Sequence, residues 1–178
     1  MQARLATLPH VSFREAAWLL PFAYTFHLAE EWNIAPWFEA HFIDAPRGGS
    51  MVVRVALAAL AVAGFFWTFL ATMPRSTTLT VFLVLPFAAI LGANGLQHLF
   101  WSFYFGGYAP GVVTSVAFLI PISVGLHTMA VRKQLVPRWY VVVLDFLVVL
   151  FLVATMRAGP NLDPVVRALL EWGARGSL

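Results

Sequence analysis

Apolar residues fill this chain in long blocks, and the polar residues gather between them. Four blocks, 51–73, 78–103, 111–131 and 139–156, each come close to the roughly 20 residues a helix needs to cross a hydrocarbon layer. The separators Pro74-Arg75-Ser76-Thr77, Gly106-Gly107-Tyr108-Ala109-Pro110 and Arg132-Lys133-Gln134-Leu135-Val136-Pro137-Arg138 carry helix-stopping or charged residues. A further block, 13–32, is long enough to span but ends in His27, Glu30 and Glu31. Its start is marked by Ser12 and Glu15 at capping-box spacing. The tail 163–175 is amphipathic, with Val166, Leu169, Leu170 and Gly173 on one helical face and Arg167, Glu171 and Arg175 on another, as in a surface helix. The pattern predicts an all-α, polytopic membrane helix bundle of about five transmembrane helices plus a C-terminal amphipathic helix. With no internal repeat or linker, residues 1–178 read as a single transmembrane domain.

Composition sharpens this reading. Hydrophobic residues are 61% and charged residues 11% of the 178 positions, where a soluble domain carries about a quarter charged. The absence of cysteine excludes disulfides, thiolate metal sites and a cysteine nucleophile, so any metal must take nitrogen and oxygen ligands. The net charge of +3 comes from basic residues scattered at helix ends, which suits orientation in a bilayer and not nucleic-acid binding. With five spans, Arg4, Arg14, Arg75, Arg132, Lys133 and Arg138 share the N-terminal side, which reads as cytoplasmic. Arg47, Arg157, Arg167 and Arg175 fall on the other side with most of the acids. No small-residue cleavage site precedes the first helix, which is expected to be retained.

The chemistry concentrates in one layer. At ~1.5 Å per residue, His27 lies about 20 Å along the first helix, and Asn94 and His98 reach a similar depth on the third, which runs the same way. Thr114 and Ser115 open the fourth helix from that side. Tyr24, Glu30 and Glu31 fall near His27 on one helical face, while Gln97 and Trp101 flank His98. Ionisable groups in a membrane span are costly and mark function by default. Two adjacent carboxylates need a proton, a cation or water between them. His27, His98 and one of Glu30 or Glu31 are therefore candidate ligands for a divalent metal, the other glutamate a candidate general base, and Tyr24, Asn94, Trp101, Thr114 and Ser115 candidate supporting or substrate contacts. Two imidazoles and a carboxylate favour zinc. Iron fits less well, since a di-iron centre draws on four Glu and two His.

Elsewhere, His127 and Asp145 fall at matching depth and suggest a structural pair or a proton relay. Pro86 and Pro121 are expected to bend their helices. Trp32, Trp37, Trp101, Tyr104, Tyr108, Trp139 and Tyr140 collect towards span ends like an aromatic belt. His10 and His41 fall in expected loops without a role.

The chain resembles the family of membrane proteins named for an HXXEE motif, here His27-Leu28-Ala29-Glu30-Glu31. Asn94-Gly95-Leu96-Gln97-His98 is similar to that family's NXXXH signature, and Pro110-Gly111-Val112-Val113-Thr114-Ser115 to its PGXXTS signature. The resemblance implies a shared fold and site, but it supplies no reaction. Three functions are open: a divalent-metal-dependent hydrolase or transferase acting on a lipophilic substrate in the bilayer, a metal-free acid–base isomerase of an isoprenoid or sterol-like molecule, and a small proton or metal-ion transporter or binding protein. The sequence names no protein partner.

Overall fold

The computed structural model of the chain describes residues 11–47, 49–162 and 164–175, other than the side chains of Val165 and Leu169; Arg4, His10 and Asp163 lie outside them. Helix α1 (Phe13–Ala17) opens with the expected capping box: the Ser12 amide donates to Glu15 Oε2 at 2.8 Å, and the Glu15 amide donates to Ser12 Oγ at 3.2 Å. A turn at Trp18 separates α1 from α2 (Leu19–Glu30), because Pro21 has no N–H to offer the Ala17 carbonyl. One 3₁₀ turn (Glu31–Asn33) then leads into α3 (Ile34–His41). His41 therefore ends a helix and does not lie in a loop, with its ring stacked on Trp37 at 4.5 Å.

The remaining elements are α4 (Ser50–Thr72), α5 (Thr77–Tyr104), α6 (Val112–Thr114), a π-helical turn (Ser115–Leu119), α7 (Ile120–Arg132), α8 (Arg138–Ala158) and α9 (Pro164–Arg175). Four helical runs, α4, α5, α6 through α7, and α8, are long and apolar enough to cross a membrane, as an integral membrane protein requires. The block expected at 13–32 is helical but divided at Trp18, so it is not among those four. Helix α5 is the axis of the bundle. Half of its apolar window is buried, against 28% or less in each of the other three.

Close approach to α5 depends on small residues. A Cβ on Gly92 would lie 2.5 Å from Ser123 Oγ, and Ser123 donates to the Ala88 carbonyl at 2.8 Å, so α7 is drawn against α5. Pro86 sits inside α5 and cannot donate to the Phe82 carbonyl; the Tyr140 hydroxyl from α8 does so instead, at 2.8 Å. Pro121 lies two residues beyond the end of the π turn, the other local adjustment to a missing donor.

At the end of the bundle away from Ser12, α9 lies across the start of α4. Leu170 is fully buried there and Val166 half-buried, while a Cβ on Gly173 would stand 2.7 Å from Gly49 Cα. The polar face carries Arg167, which reaches Asp44 and Glu171, each at 3.0 Å. Asp44 also accepts the Leu162 amide at 2.7 Å, tying the α3–α4 connection to the end of α8.

Candidate metal centre

The last turn of α2 and the 3₁₀ turn after it place His27 and Glu31 four residues apart on one face, towards α5. His98, three-quarters of the way along α5, meets them. Both imidazoles have no exposed surface, and Glu31 is buried. Glu31 Oε1 lies 3.0 Å from His98 Nε2, and Oε2 lies 3.6 Å from His27 Nε2. The imidazole rings meet edge-on with centroids 4.8 Å apart. Three ligand atoms, one per residue, lie within 4.8 Å of one another, so this buried group could hold a metal ion. Donors around a tetrahedral zinc would stand about 3.4 Å apart, a spacing these contacts bracket.

The adjacent glutamate does something different. Glu30 Oε1 accepts from the Tyr108 hydroxyl at 2.8 Å and the Val113 amide at 3.1 Å; Oε2 accepts from the Thr114 amide at 2.8 Å and the Thr114 hydroxyl at 2.6 Å. Thr114 has one hydroxyl proton, directed at Glu30, so its oxygen accepts from His27 Nδ1 at 3.0 Å. This network assigns the Nδ1–H tautomer to His27 and leaves Nε2 with a free lone pair facing Glu31 and His98. His27 Nε2 indeed has no hydrogen-bond partner among the described residues. The chain from Glu30 through Thr114 to His27 is the outer support that metal-binding imidazoles usually carry.

Gly111 makes this proximity possible. Its φ of +94° is a left-handed conformation, and a Cβ there would come within 2.7 Å of His27 and 2.9 Å of His98. Ser115, fully buried, donates to the Gly111 carbonyl at 2.6 Å and so holds the turn. A cavity of about 250 Å³ opens beside the group, walled by Glu31, Asn94, His98, Trp101, Phe38 and Leu162. Trp101 is buried edge-on against His98 at 5.1 Å, inside the bundle where a belt at the interface was expected, and half-buried Trp37 packs 5.8 Å from it. Asn94 Nδ2 lies 3.5 Å from His98 Nε2, while its buried Oδ1 has no partner among the described residues.

A family model described as "Protein of unknown function with HXXEE motif" matches residues 18–126. The chain belongs to this HXXEE family. No curated protein and no solved structure matches it. The HXXEE region covers His27, Glu30, Glu31, Asn94, His98, Trp101, Thr114 and Ser115, and ends before His127 and Asp145. Within the HXXEE motif itself, the first and last residues join the buried group while Glu30 turns to the α6 amides.

Two sequence expectations fall outside the buried group of His27, Glu31 and His98. Tyr24 packs edge-on against Phe87, with ring centroids 5.9 Å apart. His127 and Asp145 approach only to 4.0 Å, with the aspartate side chain 64% exposed and His127 Nδ1 engaged by the Ser123 carbonyl at 2.8 Å. Tyr108 and the Val113 amide are partners that sequence reasoning did not single out. Burial, followed by the Glu30 carboxylate, pushes the Tyr108 hydroxyl up to about 12, so it remains a donor to Glu30 throughout the neutral range.

Proposed function

We propose that this HXXEE-family chain is a membrane-embedded, divalent-metal-dependent enzyme that hydrolyses, or transfers a group on, a lipid-phase substrate. The observation that carries this reading is the convergence of His27, Glu31 and His98 at the end of a cavity, with the His27 lone pair aimed into the group. Two imidazoles and one carboxylate favour zinc, leaving a coordination position for water or substrate. Bound there, zinc would supply a Lewis acid and an acidified water. Glu31 and His98 hold their donors in place from two different helices. Thr114 fixes the His27 tautomer, and Glu30, its oxygens already taken by four donors, holds Thr114 in position.

In this reading residues 13–32 make a fifth crossing despite the break at Trp18. The N-terminus is cytoplasmic, the metal centre faces the opposite side, and α9 lies on that surface. The substrate is an apolar or amphipathic molecule that reaches the site from the bilayer.

The test is elemental analysis of detergent-purified protein beside His27→Ala and His98→Ala, with helicity checked by circular dichroism. About one zinc per chain in the intact protein, lost in both folded variants, is the expected result. A folded, metal-free protein that acts on its substrate in the presence of chelator would overturn it. The 3.0 Å contact of Glu31 with His98 favours one alternative in that event, a proton-exchanging pair that isomerises an isoprenoid or sterol-like molecule.

A further inference from the structure

Beside the cavity at the metal centre, a second cavity of about 360 Å³ lies between α5 and α8 and shares Asn94 and Phe151 with it as common walls. It exists because Ala89 and Ala93, four residues apart on one face of α5, present methyl groups to α8 where larger side chains would close the gap. Among the described residues Asn94 is the one polar residue that lines it; Pro86, Ile90, Leu144 and Leu147 are among the apolar walls. Ile90 and Leu147 are 64% and 54% exposed on two helices long enough to cross the bilayer, so the cavity opens sideways into hydrocarbon. From Pro86 to Asn94 it extends about 12 Å along α5.

Asn94 is the polar residue that the two cavities share. Asn94 Oδ1 is buried without a hydrogen-bond partner among the described residues, an acceptor whose lost hydration is not replaced. Within a bilayer a hydrocarbon chain gains little by exchanging lipid neighbours for protein ones, so shape and such a hydrogen bond must select the ligand.

We propose that the α5–α8 cavity binds the hydrocarbon chain of a single-chain amphiphile that enters from the bilayer. Its hydroxyl or amide N–H donates to Asn94 Oδ1 and its polar end reaches the His27, Glu31 and His98 group. The chain site stands on its own geometry; that the polar end reacts there rests on the enzyme reading given above.

The probe is a long-chain primary alcohol carrying a diazirine at its methyl end, photolysed with the full-length protein in phosphatidylcholine nanodiscs. Cross-links concentrated at Ile90, Leu144 and Leu147 are expected. Filling the cavity by Ala93→Trp, or separately by Ala89→Phe, is expected to reduce them while helicity and metal content remain. Replacing the alcohol by its methyl ether, or Asn94 by Leu, should weaken labelling roughly tenfold, the effect of one buried hydrogen bond. Labelling spread evenly over the lipid-facing sides of α4, α7 and α8, and unchanged by either cavity-filling variant, would overturn the chain site. Equal labelling by alcohol and ether would overturn the role of Asn94. The metal content of the intact protein separates the two readings: metal absent with focused labelling sinks the metalloenzyme alone, whereas metal present without focused labelling sinks the chain site alone.

Discussion

Two neighbouring glutamates, Glu30 and Glu31, do different work because successive residues on a helix point about 100° apart. Glu31 turns inward to the two histidines, and Glu30 turns to the start of α6, where it accepts four hydrogen bonds. Thr114 joins Glu30 to His27. Thr114→Val would remove the hydroxyl, leave both Glu30 Oε2 and His27 Nδ1 short of a partner, and release the tautomer. Apparent zinc affinity is expected to fall roughly 10- to 100-fold in competition with a chelator, whereas Thr114→Ser retains it. Wild-type affinity in the valine variant would mean that the Glu30-to-His27 chain does not tune the site.

Individual elements carry defects that their neighbours repair. Pro86 leaves a carbonyl without its donor inside α5, and within a bilayer no water replaces it. The Tyr140 hydroxyl on α8 fills that role. Tyr140→Phe is expected to lower stability by about 1–3 kcal/mol in thermal unfolding in detergent, with the helical content of the folded state unchanged. An unaltered unfolding temperature would show that the freed Phe82 carbonyl finds another partner. The π turn ahead of Pro121 has a second consequence, since it follows directly on α6, whose first amides Glu30 grips.

The whole molecule is a question of crossings and sides. The chain has no cysteine, so single substitutions at Val11 and Gly107 each introduce one thiol; Val11 is exposed, and a Cβ on Gly107 would meet nothing within 4 Å. With five crossings and a cytoplasmic N-terminus, a membrane-impermeant maleimide added to intact cells labels Gly107→Cys and not Val11→Cys. Labelling of both would reduce the count to four crossings and place the two ends of the first segment on one side. The same geometry matters for access, because the α5–α8 cavity faces the bilayer whereas Glu30 and Tyr108 lie towards the end of the bundle.

Much of this protein was legible in one dimension. Hydrocarbon thickness sets the length of a crossing helix, so composition and block length sufficed for the membrane class and the four apolar spans. The high cost of ionisable groups in apolar segments marked His27, Glu30, Glu31 and His98, and the helical rise put them in one layer. What spacing could not reveal was the rotation of each helix about its axis, which depends on packing between segments far apart in the chain. Contacts such as Glu30 with Thr114, 84 residues later, assigned the two glutamates their separate tasks. Packing also drew in Tyr108, turned Trp101 inward, made α3 a wall of the site, and left between α5 and α8 a space that no local pattern encodes. Helix length and polarity follow from the solvent each residue must meet; the site follows from which faces close on one another once the helices have packed.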